Sequence, residues 1–159
     1  MKPTSEKIVE LSQALKIREE WKKQGESVVF TNGCFDILHL GHVDYLEKAK
    51  NAGQKMIVGL NTDQSVKKLK GPQRPINNQY ARSRILASLA FVDLVILFDE
   101  DTPLELIQSL LPDVLIKGND YTVDTIVGAK EVLANGGEVK TIELVPNYST
   151  TELIKKIES

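Results

Sequence analysis

The sequence predicts an α/β fold built on a doubly wound, five-stranded parallel sheet. Four short apolar runs and a fifth, mixed run recur along the chain, and a helical pattern follows each of them. Unbroken apolar runs are typical of strands buried on both faces, as in a parallel sheet covered by helices. The length of 159 residues suits a single domain. We therefore expect ligands to bind beyond the carboxyl ends of the strands.

The N-terminal segment, residues 1–26, is predicted to form a leading helix ahead of a main domain at residues 27–159. Ser5 is a candidate N-cap and Gly25 is a suitable stop. Over residues 5–24, apolar side chains recur at spacings of three and four: Leu11, Ala14, Ile17 and Trp21.

In the main domain, strands and helices are predicted to alternate. The expected strands are Val28–Phe30, Met56–Leu60, Leu94–Phe98, Val114–Ile116 and the mixed run Val139–Val145. The expected helices are Gly41–Lys50, Asn78–Leu89, one that begins at Thr102-Pro103-Leu104-Glu105, Thr125–Leu133 and one that begins at Ser149-Thr150-Thr151-Glu152. Both tetrapeptides have the pattern of a capping box, the first with proline at the first helical position. Lys70–Asn77 is expected to be a mobile surface loop.

Charge and cysteine content exclude several classes of protein. There are 20 Lys and Arg against 22 Asp and Glu, so the net charge of -2 gives no reason to expect nucleic acid or an anionic membrane as partner. The single cysteine, Cys34, excludes an internal disulfide and a cysteine zinc site. No stretch approaches the roughly 20 apolar residues of a membrane span, and the first ten residues lack an apolar signal core. We expect a cytoplasmic protein.

The segment from Thr31 to His42, TNGCFDILHLGH, carries the densest chemical signal. Its two histidines, His39 and His42, are the only ones in the chain, and they face one spot at the start of a helix. Free N–H groups and the positive end of the helix dipole favour a phosphate there, and Gly41 lets a ligand approach the backbone. The alternative is that both are capping or exposed histidines. Their position after the first strand favours the ligand-binding interpretation.

Basic residues are concentrated between Gln64 and Arg84. This stretch has no acidic residue, and six cations give it a local charge of +6: Lys67, Lys68, Lys70, Arg74, Arg82 and Arg84. The charge and the loop within it predict a polyphosphate site that closes over its ligand. A solvated surface face is the alternative. Lys70 is the preferred phosphate contact among the lysines.

Three further features have both a structural and a functional interpretation. The segment Lys117-Gly118-Asn119-Asp120 follows a strand and is either an ordinary turn or part of the same crevice. Ser149 and Thr150 are predicted to cap a helix, a role compatible with phosphate binding. Asp36 is a candidate to orient a histidine, to assist Mg²⁺ or merely to end the strand. Cys34 is interpreted as a small buried residue.

These motifs together resemble the HxGH nucleotidyltransferase superfamily and, within it, the cytidylyltransferase-like branch. The resemblance covers roughly Ser27 to Ile157 and is greatest to the domains that make ADP-heptose from D-glycero-β-D-manno-heptose 1-phosphate. Four more blocks support it: Asn61-Thr62-Asp63, Lys70-Gly71-Pro72-Gln73-Arg74-Pro75, Lys117-Gly118-Asn119-Asp120-Tyr121 and Tyr148-Ser149-Thr150-Thr151. Several relatives have an arginine shortly before the serine of the last block. This chain has Val145-Pro146-Asn147-Tyr148 there, which favours the heptose branch over a glycerol phosphate cytidylyltransferase.

The resemblance implies a Rossmann-like nucleotidyltransferase fold and an adenylyltransferase that uses ATP and a sugar 1-phosphate. It implies a homodimer, and Mg²⁺ held largely by phosphate oxygens and water, with no particular protein ligand assigned. His39, His42 and Lys70 would be catalytic, and Lys70 with Arg82 would hold the β- and γ-phosphates. The other nucleotide-binding residues would be Thr31, Asn32, Gly33, Phe35, Asp36, Gly41, Asp63, Lys117, Asn119, Asp120, Ser149 and Thr150. A cytidylyltransferase for a polyol phosphate and a non-catalytic nucleotide-binding module remain alternatives.

Overall fold

The computed structural model describes residues 1–159 and confirms the five-stranded parallel sheet. The strand order is β3-β2-β1-β4-β5 and all four pairings are parallel. The strands are β1 Val28–Gly33, β2 Lys55–Asn61, β3 Leu94–Phe98, β4 Val114–Gly118 and β5 Glu138–Ile142. The order reverses between β1 and β4, and a sheet of this type binds its ligand at such a switch point.

Seven α-helices and two 3₁₀ turns surround the sheet. The helices are α1 Leu11–Lys23, α2 Leu40–Lys50, α3 Asp63–Lys70, α4 Gln79–Ser88, α5 Leu104–Leu110, α6 Ala129–Ala134 and α7 Thr150–Glu158, and the 3₁₀ turns are Thr4–Lys7 and Val123–Thr125. None of these helices is both long enough and apolar enough to cross a membrane.

Hydrophobic cores cover both faces of the sheet, which explains why its strands read as continuous apolar runs. Along β1, Val28 and Phe30 lie in one core and Val29 in the other, and all three side chains are fully buried. The neighbouring strand alternates in the same way, with Ile57 in the first core and Val58 in the second. The sheet is therefore rigid enough to fix the groups at its carboxyl edge.

The leading helix begins later than predicted. Ser5 is not its N-cap but lies in the first 3₁₀ turn, and Ile8 then pairs in parallel with Val95 of β3. The helix starts at Leu11 because the chain must first leave this bridge, in which the Val9 N–H donates to the Val95 carbonyl at 3.1 Å. Val9 and Ala14 are buried in the same core as the strands, so residues 1–26 pack as part of that core.

Three further helix predictions differ from the structure. Helix α3 was not expected, because it is short and basic and buries only Ser65 and Val66; Thr62 caps it. The predicted capping box before α5 does not form, and Pro103 is itself the N-cap. The helix expected over residues 125–133 is split, because Gly128 with φ of +85° separates the second 3₁₀ turn from α6.

Candidate active site

A cavity of about 700 Å³ opens at the carboxyl edge of the sheet, and 28 residues line it. They come from the ends of the first four strands, the N-termini of α2 and α7, and the loop after α3. Most of the sequence-predicted site residues are among them: Asn32, Gly33, Phe35, Asp36, His39, Gly41, His42, Lys70, Lys117, Asp120, Ser149 and Thr150. Thr31, Asp63, Arg82 and Asn119 are not.

The two histidines stack against each other at the start of α2. Their ring centroids are 3.7 Å apart with an interplanar angle of 23°, and Phe35 meets His42 edge-on at 5.1 Å. His39 is the N-cap residue, but its side chain makes no capping hydrogen bond. The Nδ1 atoms of both rings are buried without a hydrogen-bond partner. Two aligned imidazoles and an uncapped helix N-terminus therefore point into one cavity.

Gly41 makes this stacking possible. A Cβ at this position would lie 2.9 Å from His39 Cε1 and 3.3 Å from the Tyr148 Cβ. Any other residue would therefore displace the His39 ring or the Tyr148 segment. From the sequence, we expected the space left by the absent side chain of Gly41 to admit a ligand. In the structure, the His39 ring occupies most of that space.

Both histidines are neutral at physiological pH in this arrangement. Burial, and then the neighbouring His39, lower the pKa of His42 to about 4. Burial also lowers the pKa of His39. A neutral imidazole still donates one hydrogen bond, so the pair can contact phosphate oxygens without carrying a charge in the free protein.

The turn between β1 and α2 is strained at Phe35. Its φ of +44° lies in the left-handed region, which costs a non-glycine residue roughly 1–3 kcal/mol. Gly33 makes room for the Phe35 ring, whose Cε2 would lie 2.9 Å from a Cβ at residue 33. Because the Phe35 ring also meets His42, this strained turn positions a histidine.

Asp36 anchors the loop over residues 70–77. Its carboxylate is 1% exposed and accepts from Arg74 Nε at 2.6 Å and from the N–H groups of Ile76 and Asn77 at 2.9 Å. Burial alone would raise the pKa of Asp36, but these N–H groups and the Arg74 guanidinium outweigh it and hold the pKa below its usual value. The structure thus gives Asp36 a role that the sequence did not suggest, which is to anchor this loop. The loop is fixed from Arg74 onward and not mobile along its whole length.

Arg82, which the sequence predicts to hold phosphate, lies outside the cavity in this conformation. Its side chain is fully buried, and every guanidinium nitrogen donates within the protein. The acceptors are the carbonyls of Asn77, Cys34 and Asn61 and the carboxylate of Asp63, at 2.7 to 2.9 Å. Arg82 therefore fastens the β1–α2 turn, the end of β2 and the anchored loop to one another.

The other three predicted residues outside the cavity also have internal roles. Thr31 is fully buried, and its hydroxyl lies 2.8 Å from the Tyr45 hydroxyl. Asp63 accepts from Arg82. Asn119 donates its N–H to the Ile142 carbonyl at 2.8 Å, which joins the ends of β4 and β5. In this conformation the three residues make internal contacts, and their contact with a nucleotide stays a prediction.

The N-terminus of α7 forms the far wall of the cavity. Ser149 is its N-cap as predicted, and its Oγ accepts from the Glu152 N–H at 3.1 Å. Thr150 and Thr151 also line the cavity. Two helix N-termini, those of α2 and α7, thus border one space, and each favours a bound anion.

Several cavity residues were not proposed from the sequence as site residues. They include Cys34, Asn61, Phe98, Asp101, Thr102 and Leu144. Asn61, Phe98 and Asp101 lie at or just after the ends of β2 and β3. Their position at the end of an apolar run was the available signal, because parallel strands present their carboxyl ends at the same edge.

Residues 30–156 match the Cytidylyltransferase-like family, so the chain belongs to this family. A bifunctional protein HldE from Methylobacillus flagellatus is 52% identical over 155 residues, and one from Caulobacter vibrioides is 56% identical over 157 residues. These alignments cover 98% and 99% of this chain but 32% of each relative. The chain thus spans about a third of the length of these relatives.

Two solved structures share the fold. A lipopolysaccharide core biosynthesis protein from Thermoplasma volcanium superposes with a TM-score of 0.61 at 29% identity, covering 79% of this chain and all of the other. A pantoate-beta-alanine ligase from Francisella tularensis superposes with a TM-score of 0.59 at 17% identity, covering 95% of this chain and 76% of the other. The second likeness supports the fold alone.

Proposed function

We propose that this chain is an adenylyltransferase that transfers AMP from ATP to D-glycero-β-D-manno-heptose 1-phosphate and releases pyrophosphate. The observation that carries the reaction class is the stacked pair of His39 and His42 at the uncapped N-terminus of α2, inside a cavity of about 700 Å³. The family match and the HldE relatives agree with a nucleotidyltransferase.

The choice of a sugar phosphate rests on three sources. The segments Lys70–Pro75 and Lys117–Tyr121 resemble the heptose branch, and both contribute to the cavity. The relative from Thermoplasma volcanium is named as a lipopolysaccharide core biosynthesis protein. The arginine that several relatives carry shortly before the corresponding serine is absent before Ser149.

The proposed reaction needs alignment and charge stabilisation rather than a base. A phosphate monoester is already anionic at neutral pH, so its oxygen attacks the α-phosphorus of ATP and pyrophosphate leaves with the electrons of the broken P–O bond. His39 and His42 would donate hydrogen bonds to the reacting phosphate, and Lys70 would contact the β- and γ-phosphates. Ser149 and Thr150 at the α7 N-terminus would hold the triphosphate.

Magnesium would enter with ATP as part of the substrate. No group of three His, Cys, Asp or Glu side chains in the structure could hold a metal ion, and the Asp36 carboxylate is used by the anchored loop. Phosphate oxygens and water would supply most of its ligands, as is usual for Mg²⁺ that binds together with a nucleotide. We also propose a homodimer and a cytoplasmic location, where ATP is available.

The decisive experiment is a pyrophosphate-release assay with ATP, CTP, GTP and UTP against a panel of sugar 1-phosphates and glycerol 3-phosphate. The proposal predicts the highest kcat/KM for ATP with the heptose 1-phosphate. A higher kcat/KM for CTP with glycerol 3-phosphate would overturn the assignment to the heptose branch. Nucleotide binding without turnover for every pair would instead indicate a non-catalytic module.

A further inference from the structure

The basic side chains in and near the cavity differ in how many ion pairs and hydrogen bonds they form within the protein. Arg74 forms an ion pair with Asp36 at 2.6 Å, and the guanidinium group of Arg82 donates all of its hydrogen bonds to acceptors within the protein. Lys70 ends α3 and is exposed. Lys117 is largely removed from solvent, yet it forms no ion pair, and its one hydrogen-bond acceptor is the Asn32 carbonyl at the long distance of 3.5 Å.

A lysine at this position is unexpected for a buried strand. Lys117 belongs to β4, whose sequence VLIKG is otherwise fully buried. Burial removes part of the hydration of the ammonium group and lowers the pKa of Lys117, and the charge of the nearby Asp120 carboxylate offsets this effect only in part. Packing of the strand therefore does not explain why a lysine stands at position 117, whereas a bound anion would explain it. Residues that violate a local rule in this way are concentrated at functional sites.

Lys117 also lines the cavity, near the carboxyl end of β4. Strand β4 pairs with β1 at the point where the sheet order reverses, and β1 leads into the segment that carries both histidines. The Asn32 side chain beside it has a buried Oδ1 without a partner. Tyr121, whose ring centre is 5.5 Å from the Lys117 Nζ, limits the directions in which the ammonium group can move.

We propose that Lys117 is a catalytic residue that contacts a non-bridging oxygen of the α-phosphate of ATP. This inference rests on the proposed function and deepens it. When the sugar phosphate oxygen bonds to the α-phosphorus and the bond to pyrophosphate breaks, negative charge increases on the non-bridging oxygens. A fixed ammonium group stabilises that charge without transferring a proton. Lys70, the exposed last residue of α3, contacts the β- and γ-phosphates instead.

The two lysines thus serve different phosphates, and binding measurements separate them. Titration calorimetry with adenosine, AMP and ATP, without any sugar phosphate, compares the wild-type protein with Lys117→Met and its matched control Lys70→Met. In the wild-type protein, we expect AMP to bind at least tenfold more tightly than adenosine. Lys117→Met should reduce that ratio to about one, whereas Lys70→Met should retain it and weaken the preference for ATP over AMP.

Turnover and stability complete the test. Lys117→Met should lower kcat by roughly 10² to 10³-fold, and Lys117→Arg should recover part of it, because the charge is kept but its position changes. Lys117→Met should keep or raise the melting temperature, since it removes a buried unpaired charge. If it fails to fold, Lys117→Gln gives the same ratio test.

An unchanged ratio of AMP to adenosine affinity in the Lys117 variants, or turnover within threefold of wild type, would overturn the inference. The calorimetric ratio is measured without an acceptor, so it tests Lys117 even when no acceptor supports turnover. Absence of pyrophosphate release from the wild-type protein with every nucleotide and acceptor would overturn the proposed function alone.

Discussion

Two groups of polar side chains meet at the cavity, and they differ in whether they have hydrogen-bond or ion-pair partners within the protein. In the anchor group, which comprises Asp36, Arg74 and Arg82, the charged groups are partnered within the fold. In the open group, which comprises Asn32, His39, His42 and Lys117, a buried polar atom either has no partner or has only one long contact. Both groups contact the segment from the end of β1 to the start of α2, although Arg74 comes from the loop after α3 and Arg82 from α4.

This difference separates positioning from binding. A satisfied buried network fixes the backbone that carries it, here the strained Phe35 turn and the loop from Arg74 to Asn77. An unsatisfied buried group costs stability and is retained where a ligand supplies the missing partner. The comparison therefore predicts that open-group variants lose activity at little cost in stability, whereas anchor-group variants lose stability first.

The largest effect is expected for the histidines. His39→Ala and His42→Ala should each lower turnover by roughly two to four orders of magnitude, the scale of a lost transition-state contact, while the fold survives. Leu40→Ala is the matched control, because Leu40 is an exposed residue between them that does not line the cavity. Steady-state kinetics with thermal melts provides the test. Turnover at the wild-type level in either histidine variant, with an unchanged melting temperature, would refute the central role of the pair.

The anchor group should behave in the opposite way. Arg82→Met leaves the Asp63 carboxylate and three carbonyls without their donor, so we expect the free energy of unfolding to fall by about 3–5 kcal/mol. Arg84→Met, on the same helix, loses only contacts to Thr4 and Tyr80 and should cost far less. Urea denaturation measures both. Equal losses in the two variants would contradict the special role of Arg82.

A smaller effect is expected from pH. The pKa of His42 is about 4 in the folded protein and about 6.5 when unfolded, so between these values only the unfolded chain binds the proton. Stability should therefore be complete above pH 6.5 and fall as the pH drops toward 4. His42→Asn should flatten the change in melting temperature between pH 7.5 and pH 5. A wild-type protein equally stable at both pH values would contradict the neutral, buried state of this ring.

The smallest effect should be local and confined to the loop after α3. We expect ATP with Mg²⁺ to slow hydrogen exchange at Gln73 severalfold, because Lys70 then has a phosphate partner. Ile76 and Asn77 should already be protected without nucleotide, since their N–H groups donate to Asp36. Exchange that is fast at Ile76 and slow only with nucleotide would show that the Asp36 anchor forms on binding.

The sequence predicts the sheet well because each strand is buried on both faces, and this leaves a local pattern of apolar runs. It predicts a helix start well where a capping residue acts locally, as at Ser149. The start of α1 depends on the pairing of Ile8 with Val95, which is distant in sequence and has no local signal. Helix α3 is missed because it buries too few apolar residues to show a periodic pattern.

The same distinction applies to the site. The sequence locates the histidines and Lys117, because a position at or after the end of an apolar run is visible along the chain. It does not distinguish Arg82, which is buried among carbonyls, from Lys70, which is exposed, since both are simply basic residues in one stretch. Nor does it show that Asp36 contacts a loop some 40 residues away. Roles that depend on partners distant in sequence require the structure.

The most direct test of the proposed AMP transfer is to trace the α-phosphate of ATP into the product. The wild-type protein is incubated with heptose 1-phosphate, Mg²⁺ and ATP labelled with ³²P at either the α or the γ position, and the products are separated. We predict that the α label moves into the sugar nucleotide while the γ label leaves in pyrophosphate. A γ label on the sugar product, or an α label that stays in free ADP or AMP, would contradict transfer at the histidine pair.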